Sequence, residues 1–131
     1  MTETSSNTIT KGIRIQVYPE FLPEYSDTEN FQFFFKYRIV ITNESDEPVK
    51  LISRKWLIIN ADGDEEIVEG LGVVGQNPYI QPSENFEYES NCPLNTPWGT
   101  MEGSYNFRKN DGSDFDATIS RFYLVSELQE H

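Results

Sequence analysis

The sequence predicts an all-β fold, an antiparallel sandwich of about seven to eight strands. Three observations carry this. Apolar residues recur with a period of two, and no stretch shows the 3.6-residue period of a helix. Short turn signals rich in Asn, Asp and Gly separate the alternating rows. Aromatics make up 14% of the 131 residues and lie mostly inside those rows, where they supply the large side chains of a two-layer core.

The elements follow in order. Residues 1–8 are polar and aperiodic and read as a tail, the sandwich domain spans 9–126, and residues 127–131 form a second short tail. Ile13, Ile15 and Val17 alternate with Arg14 and Gln16 in the first strand. A long loop over residues 19–30 leads to the longest alternating row, Phe31, Phe33, Phe35, Tyr37, Ile39 and Ile41. Asn43-Glu44-Ser45 has the form of a glycosylation sequon and reads as a turn. Val49 and Leu51 open a third strand that Trp56 and Ile58 continue on the opposite parity, which predicts a β-bulge or sheet switch at residues 53–55. Trp56 in mid-strand suits an immunoglobulin-like core.

Asp62-Gly63 is a hairpin signal leading into residues 65–68. Phe86, Tyr88 and Cys92 share one face of the next strand. Met101, Tyr105 and Phe107 share a face with Gly99 and Gly103. Residues 109–112 turn the chain into Phe115, Ala117 and Ile119. A parity slip at Ser120-Arg121 precedes Phe122 and Leu124 and predicts a second irregularity.

Charge and composition exclude several functions. With 22 acidic and 10 basic residues the net charge is −12, which repels nucleic-acid phosphates and anionic lipid. Cys92 is the single cysteine, so no intrachain disulfide forms, in keeping with a reducing compartment. No apolar run resembles a signal peptide or approaches the roughly 18 residues of a membrane span, so the expected location is cytoplasmic. The one histidine is His131, at the very terminus, where no Ser-His or Cys-His pair can be held on a rigid element. Cys92 shares its face with Phe86 and Tyr88 and reads as a small buried core residue.

One motif imitates a ligand site. Gly70-Leu71-Gly72-Val73-Val74-Gly75 copies the glycine spacing of the dinucleotide-binding fingerprint, but that fingerprint needs a helix N-terminus. Pro78 and Pro82 follow instead, so the stretch reads first as strand and turn, with Val73 and Val74 as core residues. Its amides can also form an anion nest, with Arg54 and Lys55 as the nearest candidate cations. Gly70, Gly72, Gly75, Arg54 and Lys55 are therefore the candidate ligand loop, and a weak phosphate-containing ligand is the candidate occupant. Two acidic clusters, residues 62–69 and Asp111, Asp114 and Asp116, lie at hairpin turns and lack calcium-loop spacing, so neither a metal nor a cofactor is expected. Trp98, Tyr79, Phe21 and Tyr25 lie in turns or loops and form the candidate partner surface, with packing over the ends of the sandwich as the competing reading.

These motifs, in this order, resemble the bacterial ApaG family. They are Gly12-Ile13-x-Ile15-x-Val17, Leu22-Pro23-Glu24, Ser53-Arg54-Lys55-Trp56, Asp62-Gly63, the glycine stretch with Pro78, and Phe86-x-Tyr88-x-Ser90-x-Cys92-x-Leu94-x-Thr96. Gly99-x-Met101-x-Gly103-x-Tyr105, Gly112-x-x-Phe115 and Ile119-x-x-Phe122-x-Leu124 complete them, over about residues 12–125. The resemblance implies a fibronectin-type-III-like single-domain bacterial protein linked to magnesium and cobalt homeostasis. The same domain serves as an interaction module in eukaryotic F-box proteins, and no enzymatic activity is established for the family. Lys55 stands where the family usually has His, Glu69 where it often has a basic residue, and Pro82-Ser83 where it usually has Pro-Gly. The expected function is a non-catalytic interaction module with an unidentified protein partner, as monomer or homodimer. The alternative is a pyrophosphate- or nucleotide-binding protein, or weak phosphohydrolase, using residues 70–75.

Overall fold

The computed structural model describes residues 4–126. Nine strands follow one another: β1 (Ser6–Thr10), β2 (Ile13–Phe21), β3 (Phe33–Asn43), β4 (Val49–Asn60), β5 (Glu65–Leu71), β6 (Tyr79–Ile80), β7 (Asn85–Leu94), β8 (Trp98–Lys109) and β9 (Asp114–Val125). They form two antiparallel sheets, β1-β2-β3-β7 and β5-β4-β8-β9, with β6 pairing beside β4. This is the immunoglobulin-like sandwich expected, with nine strands where about seven to eight were expected, because β1 and the two-residue β6 carry almost no apolar pattern. Among the described residues, no helix is long and apolar enough to cross a membrane.

The longest alternating row, from Phe33 on, becomes the middle of the first sheet, whereas Phe31, expected in that row, caps a 3-10 turn with φ of 57° and is 63% exposed. Every second residue of β3 from Phe33 to Asn43 points into the core. β2 sets Ile15 beside Ile41 and Val17 beside Ile39, and β7 sets Tyr88 beside Ile39 and Cys92 beside Phe35. Burying each such aliphatic or aromatic side chain contributes about 1.5–3 kcal/mol.

In the second sheet the register of β4 against β8 shifts between Leu51 and Ser53. Ile52 is the extra residue, so the irregularity lies just before residues 53–55, where parity alone had put it. Its effect is the one expected: Leu51 and Trp56 both point inward across the slip. The Trp56 ring meets Tyr37, Phe122 and Tyr105 edge-on at 5.5, 5.8 and 6.3 Å, a geometry that aromatic quadrupoles favour. The second irregularity falls at Ser120 and Arg121, which together oppose Glu102, as the parity slip predicts.

Three segments differ from the sequence reading. Ser6, Asn7 and Thr8, assigned to a tail, pair with Val17, Gln16 and Ile15. Their side chains carry no apolar pattern because the backbone ladder holds them, with the Thr8 hydroxyl bonded and the Ser6 hydroxyl buried without a partner among the described residues. Tyr123 donates its amide to the Thr4 carbonyl at 3.0 Å, the Thr118 amide bonds Thr10 Oγ1 at 3.2 Å, and the Thr8 and Ser120 hydroxyls bond each other. Residues 1–3 and 127–131, including His131, lie outside the described residues.

The loop assigned to residues 19–30 begins later, because β2 runs on to Phe21. β1 begins opposite Val17 and runs from there toward Ile13, so Pro19 faces no strand on its outer side and its missing amide costs nothing there. The sequon asparagine is more than a turn residue. Asn43 is fully buried, donating to the carbonyls of Glu47 and Ile80 at 2.8 and 3.0 Å and accepting the Ser45 amide at 2.9 Å.

The turn before β7 explains one departure from the family pattern. Glu84 donates its amide to the Gln81 carbonyl at 3.0 Å, with Pro82 first and Ser83 second among the central residues. Ser83 holds φ at 73°, which makes this a type II turn whose second position favours glycine. Ser83→Gly removes the Cβ strain and is expected to raise stability by about 0.5–1 kcal/mol, read as a higher urea midpoint at unchanged m-value.

Candidate functional site

The two sides of the sandwich are unequal. On one side β1 and β9 are laced together by the hydrogen bonds above. On the other, the edge strands β5 and β7 stand apart and leave a groove of about 500 Å³. Tyr37, Trp56, Tyr88 and Cys92 form its floor, Arg54 and Glu66 line it, and residues 73–75 close one end.

The floor is buried and chemically quiet. The Tyr88 and Tyr105 hydroxyls bond each other, and burial raises both phenols above their ordinary range. Burial, with Glu66 nearby, pushes the Cys92 thiol up to about 12. A thiol held in its neutral form is a poor nucleophile, so Cys92 is the core residue that its strand face predicts.

The glycine motif sits at the end of this groove and is spent on the fold. Arg54 Nη1 donates to the carbonyls of Leu71 and Gly72 at 3.1 and 2.9 Å. The guanidinium lies across Gly70, where a Cβ would come within 2.8 Å of Nη1. At Gly72, with φ of +66°, a Cβ would stand 2.3 Å from the Gln76 carbonyl oxygen. The Gly72 amide bonds the Ile52 carbonyl at 2.9 Å, and the Val73 and Gln76 amides bond the reciprocal carbonyls at 2.8 Å. Asn77 Nδ2 then donates to the carbonyls of Leu51 and Ile52, each at 3.1 Å. Arg54 and Asn77 thus grip the bulged segment of β4 and the loop beside it.

Val74 and Gly75 both take left-handed φ values, 41° and 78°, which makes residues 73–76 a type I′ turn. An anion nest alternates right- and left-handed residues so that successive amides converge, and this turn does not. Val73 is buried, as expected, whereas Val74, expected in the core, is 53% exposed at the turn tip. Lys55, adjacent to Arg54 on β4, points to the opposite face of the sheet and lies in register with Glu69. The two candidate cations are therefore split between faces.

The four candidate partner aromatics do not form one patch. Phe21 is half-buried and packs its ring 5.3 Å from Phe35 and 6.5 Å from Phe33, so it plugs the sandwich end. Trp98, 48% exposed, flanks the same depression with Pro97 and Phe33. Tyr25 is exposed in the 3-10 turn after β2. Tyr79 lies beside Lys50 at the start of β4, whereas Trp98 adjoins Gly99, which pairs with Asn60 at its other end. Ten strand residues, about 3.3 Å each, separate the two.

Sequence reasoning missed several exposed apolar residues, among them Ile9, Tyr18 and Phe31 and a pair on β5. Ile67 is 59% exposed and Leu71 79%. The signal was present as Glu65-x-Ile67-x-Glu69-x-Leu71, an outward row mixing charge with large aliphatics. Among the described residues, no three His, Cys, Asp or Glu converge to hold a metal. In the second acidic cluster Asp111 is occupied by the amide and hydroxyl of Ser113 at 2.9 and 2.6 Å.

The same ApaG domain runs through known proteins: its family pattern matches residues 23–109. The chain belongs to the ApaG family. It is 47% identical over 120 residues to the protein ApaG of Anaeromyxobacter dehalogenans strain 2CP-1, covering 92% of this chain and 94% of that one. It is likewise 47% identical over 113 residues to that of Maricaulis maris, covering 86% and 87%. The crystal structure of the Bordetella pertussis ApaA protein superposes with a TM-score of 0.85 at 38% identity, covering 95% and 97% of the two chains. The ApaG glycine stretch is in this chain a clamp on a β-bulge.

The raised thiol and phenol groups set an alkaline limit. The neutral forms are favoured in the fold, so their contribution is complete below the unfolded thiol value of about 8.5 and is lost as pH climbs toward the folded values. The urea midpoint is expected to fall steadily above that pH. Cys92→Ala removes part of the slope, and Cys92 in the native protein reacts with Ellman's reagent only at the rate of unfolding.

Proposed function

We propose that this protein is a non-catalytic interaction module that works by presenting the open β5 side of its sandwich to a protein partner. The observation that carries the reading is the exposure of Ile67, Leu71 and Val74 in one run along that side. Large aliphatics left in water repeatedly along one open edge suit a docking surface. The groove beside them offers buried phenols and a neutral thiol and assembles no nucleophile with a base.

The magnesium and cobalt link implied by the family runs, on this reading, through the partner. Cobalt prefers imidazole or thiolate to carboxylates alone, and among the described residues no three carboxylates converge. The cytoplasm is the compartment that suits a free Cys92. Affinity capture from native lysate is expected to retain a protein partner, and Leu71→Ser to weaken retention at an unchanged urea midpoint. Trp98→Ala is the comparison at the other exposed ring. Finding no partner at low salt overturns the reading.

For the phosphate alternative, Arg54 brings the one inward-facing cation, and its Nη1 is already engaged by two carbonyls. Pyrophosphate at millimolar concentration is expected to leave the backbone amide signals of residues 70–77 unmoved. Saturable shifts there would reinstate the ligand loop.

A further inference from the structure

We propose that the β5 edge takes up an extended peptide as an added strand, and that the fitting peptide carries basic and apolar residues alternately along one face. This rests on the interaction-module reading above and names its surface and partner class.

The backbone argument comes first. Asn60 donates its amide to Asp64, and Gly72 to Ile52. These two bonds fix the phase of the β4–β5 ladder, because hydrogen-bonded pairs alternate along antiparallel strands. Glu66, Val68 and Gly70 therefore turn their amides and carbonyls toward β4. Glu65, Ile67, Glu69 and Leu71 turn theirs outward, where no strand of the described chain pairs with them, the Leu71 carbonyl being held instead by Arg54 Nη1 at 3.1 Å. That leaves an open edge of about 20 Å, the length of an ordinary strand.

Edges of this kind are normally blocked, and the other edge on this side is. In β7, Pro93 lacks an amide, while Glu87 and Glu89 are paired with Arg38 and Lys36 at 3.0 and 3.8 Å. β5 has no proline and no basic residue. Among the described residues, none of its glutamates lies in an ion pair. Lys55, in register behind Glu69, is the nearest cation on that face.

The side chains choose the occupant. The outward row reads Glu65, Ile67, Glu69, Leu71, and the residue opposite each lies on the same face. A peptide reading basic, x, apolar, x, basic, x, apolar meets all four. A second copy fits less well: antiparallel pairing of β5 with itself about Ile67 would set Glu65 against Glu69 twice, and pairing about Val68 would set each glutamate against an aliphatic, so in neither register does a glutamate meet a cation. The glutamates thus discourage self-pairing and select a basic strand, a use of repulsion as well as attraction.

The test uses the full chain and a short synthetic peptide of repeating Lys-Thr-Val-Thr. Saturable binding is expected, with amide shifts centred on residues 64–72. The double variant Glu65→Lys, Glu69→Lys is expected to stay folded with a somewhat lower urea midpoint, because position 69 then opposes Lys55, to lose binding about tenfold or more, and to gain binding to the peptide with Glu in place of Lys. N-methylation of alternate peptide amides preserves the charge and is expected to abolish binding. Equal binding of the N-methylated peptide, shifts centred elsewhere, or β5 shifts that appear with protein concentration alone would overturn the proposal. If the wild-type protein captures its lysate partner but does not bind the peptide, the edge assignment falls and the interaction-module reading stands.

Discussion

One extra residue in β4 sets what the rest of the sandwich can do. Ile52 shifts the strand by one position against β8, and every side chain after it changes face. Without the shift, Ser53 and Lys55 would point into the core and Trp56 into water. With it, Trp56 joins Tyr37, Tyr105 and Phe122 in the aromatic centre. A bulge leaves carbonyls and amides out of the ladder, and buried ones are expensive to leave unpaired. The glycine stretch answers that need: Gly72 and Asn77 bond the bulge carbonyls, while Arg54, lying flat across Gly70, ties down the carbonyls of the loop itself.

That clamp also shapes the surface. It ends β5 at Leu71 and turns the chain away through Val74 and Gly75, so β5 stays a short edge strand with nothing beyond it. The opposite side of the sandwich is closed by hydroxyl and backbone bonds between β1 and β9. The asymmetry gives the molecule one dry, sealed flank and one flank where backbone, aliphatic and carboxylate groups meet solvent together. The floor of buried phenols and thiol lies directly beneath that edge.

Much of this was legible in the residues. The strict alternation of β3, the opposite parities of Leu51 and Trp56, the slip at Ser120-Arg121 and the burial of Cys92 each follow from period-two geometry, which is local. The candidate site was legible in part. Gly70, Gly72 and Arg54 were picked out as neighbours and are neighbours, but their purpose was not readable, because it depends on carbonyls of β4 some twenty positions earlier in the chain. Phe21 and Tyr79 illustrate the same limit: a ring in a loop is a plug or a patch according to what lies beneath it.

The sequence by itself determined the fold class, the family and most of the core, Phe31 and Val74 excepted, since these follow from composition and from patterns within single strands. Tertiary structure alone decided that Ser6, Asn7 and Thr8 belong to the sheet, that Arg54 and Lys55 face opposite ways around the bulge, and that β5 rather than β7 is the open edge. Those outcomes depend on which strands become neighbours and on which of their hydrogen-bonding groups remain unpaired. No residue carries that information until the two sheets have closed on each other.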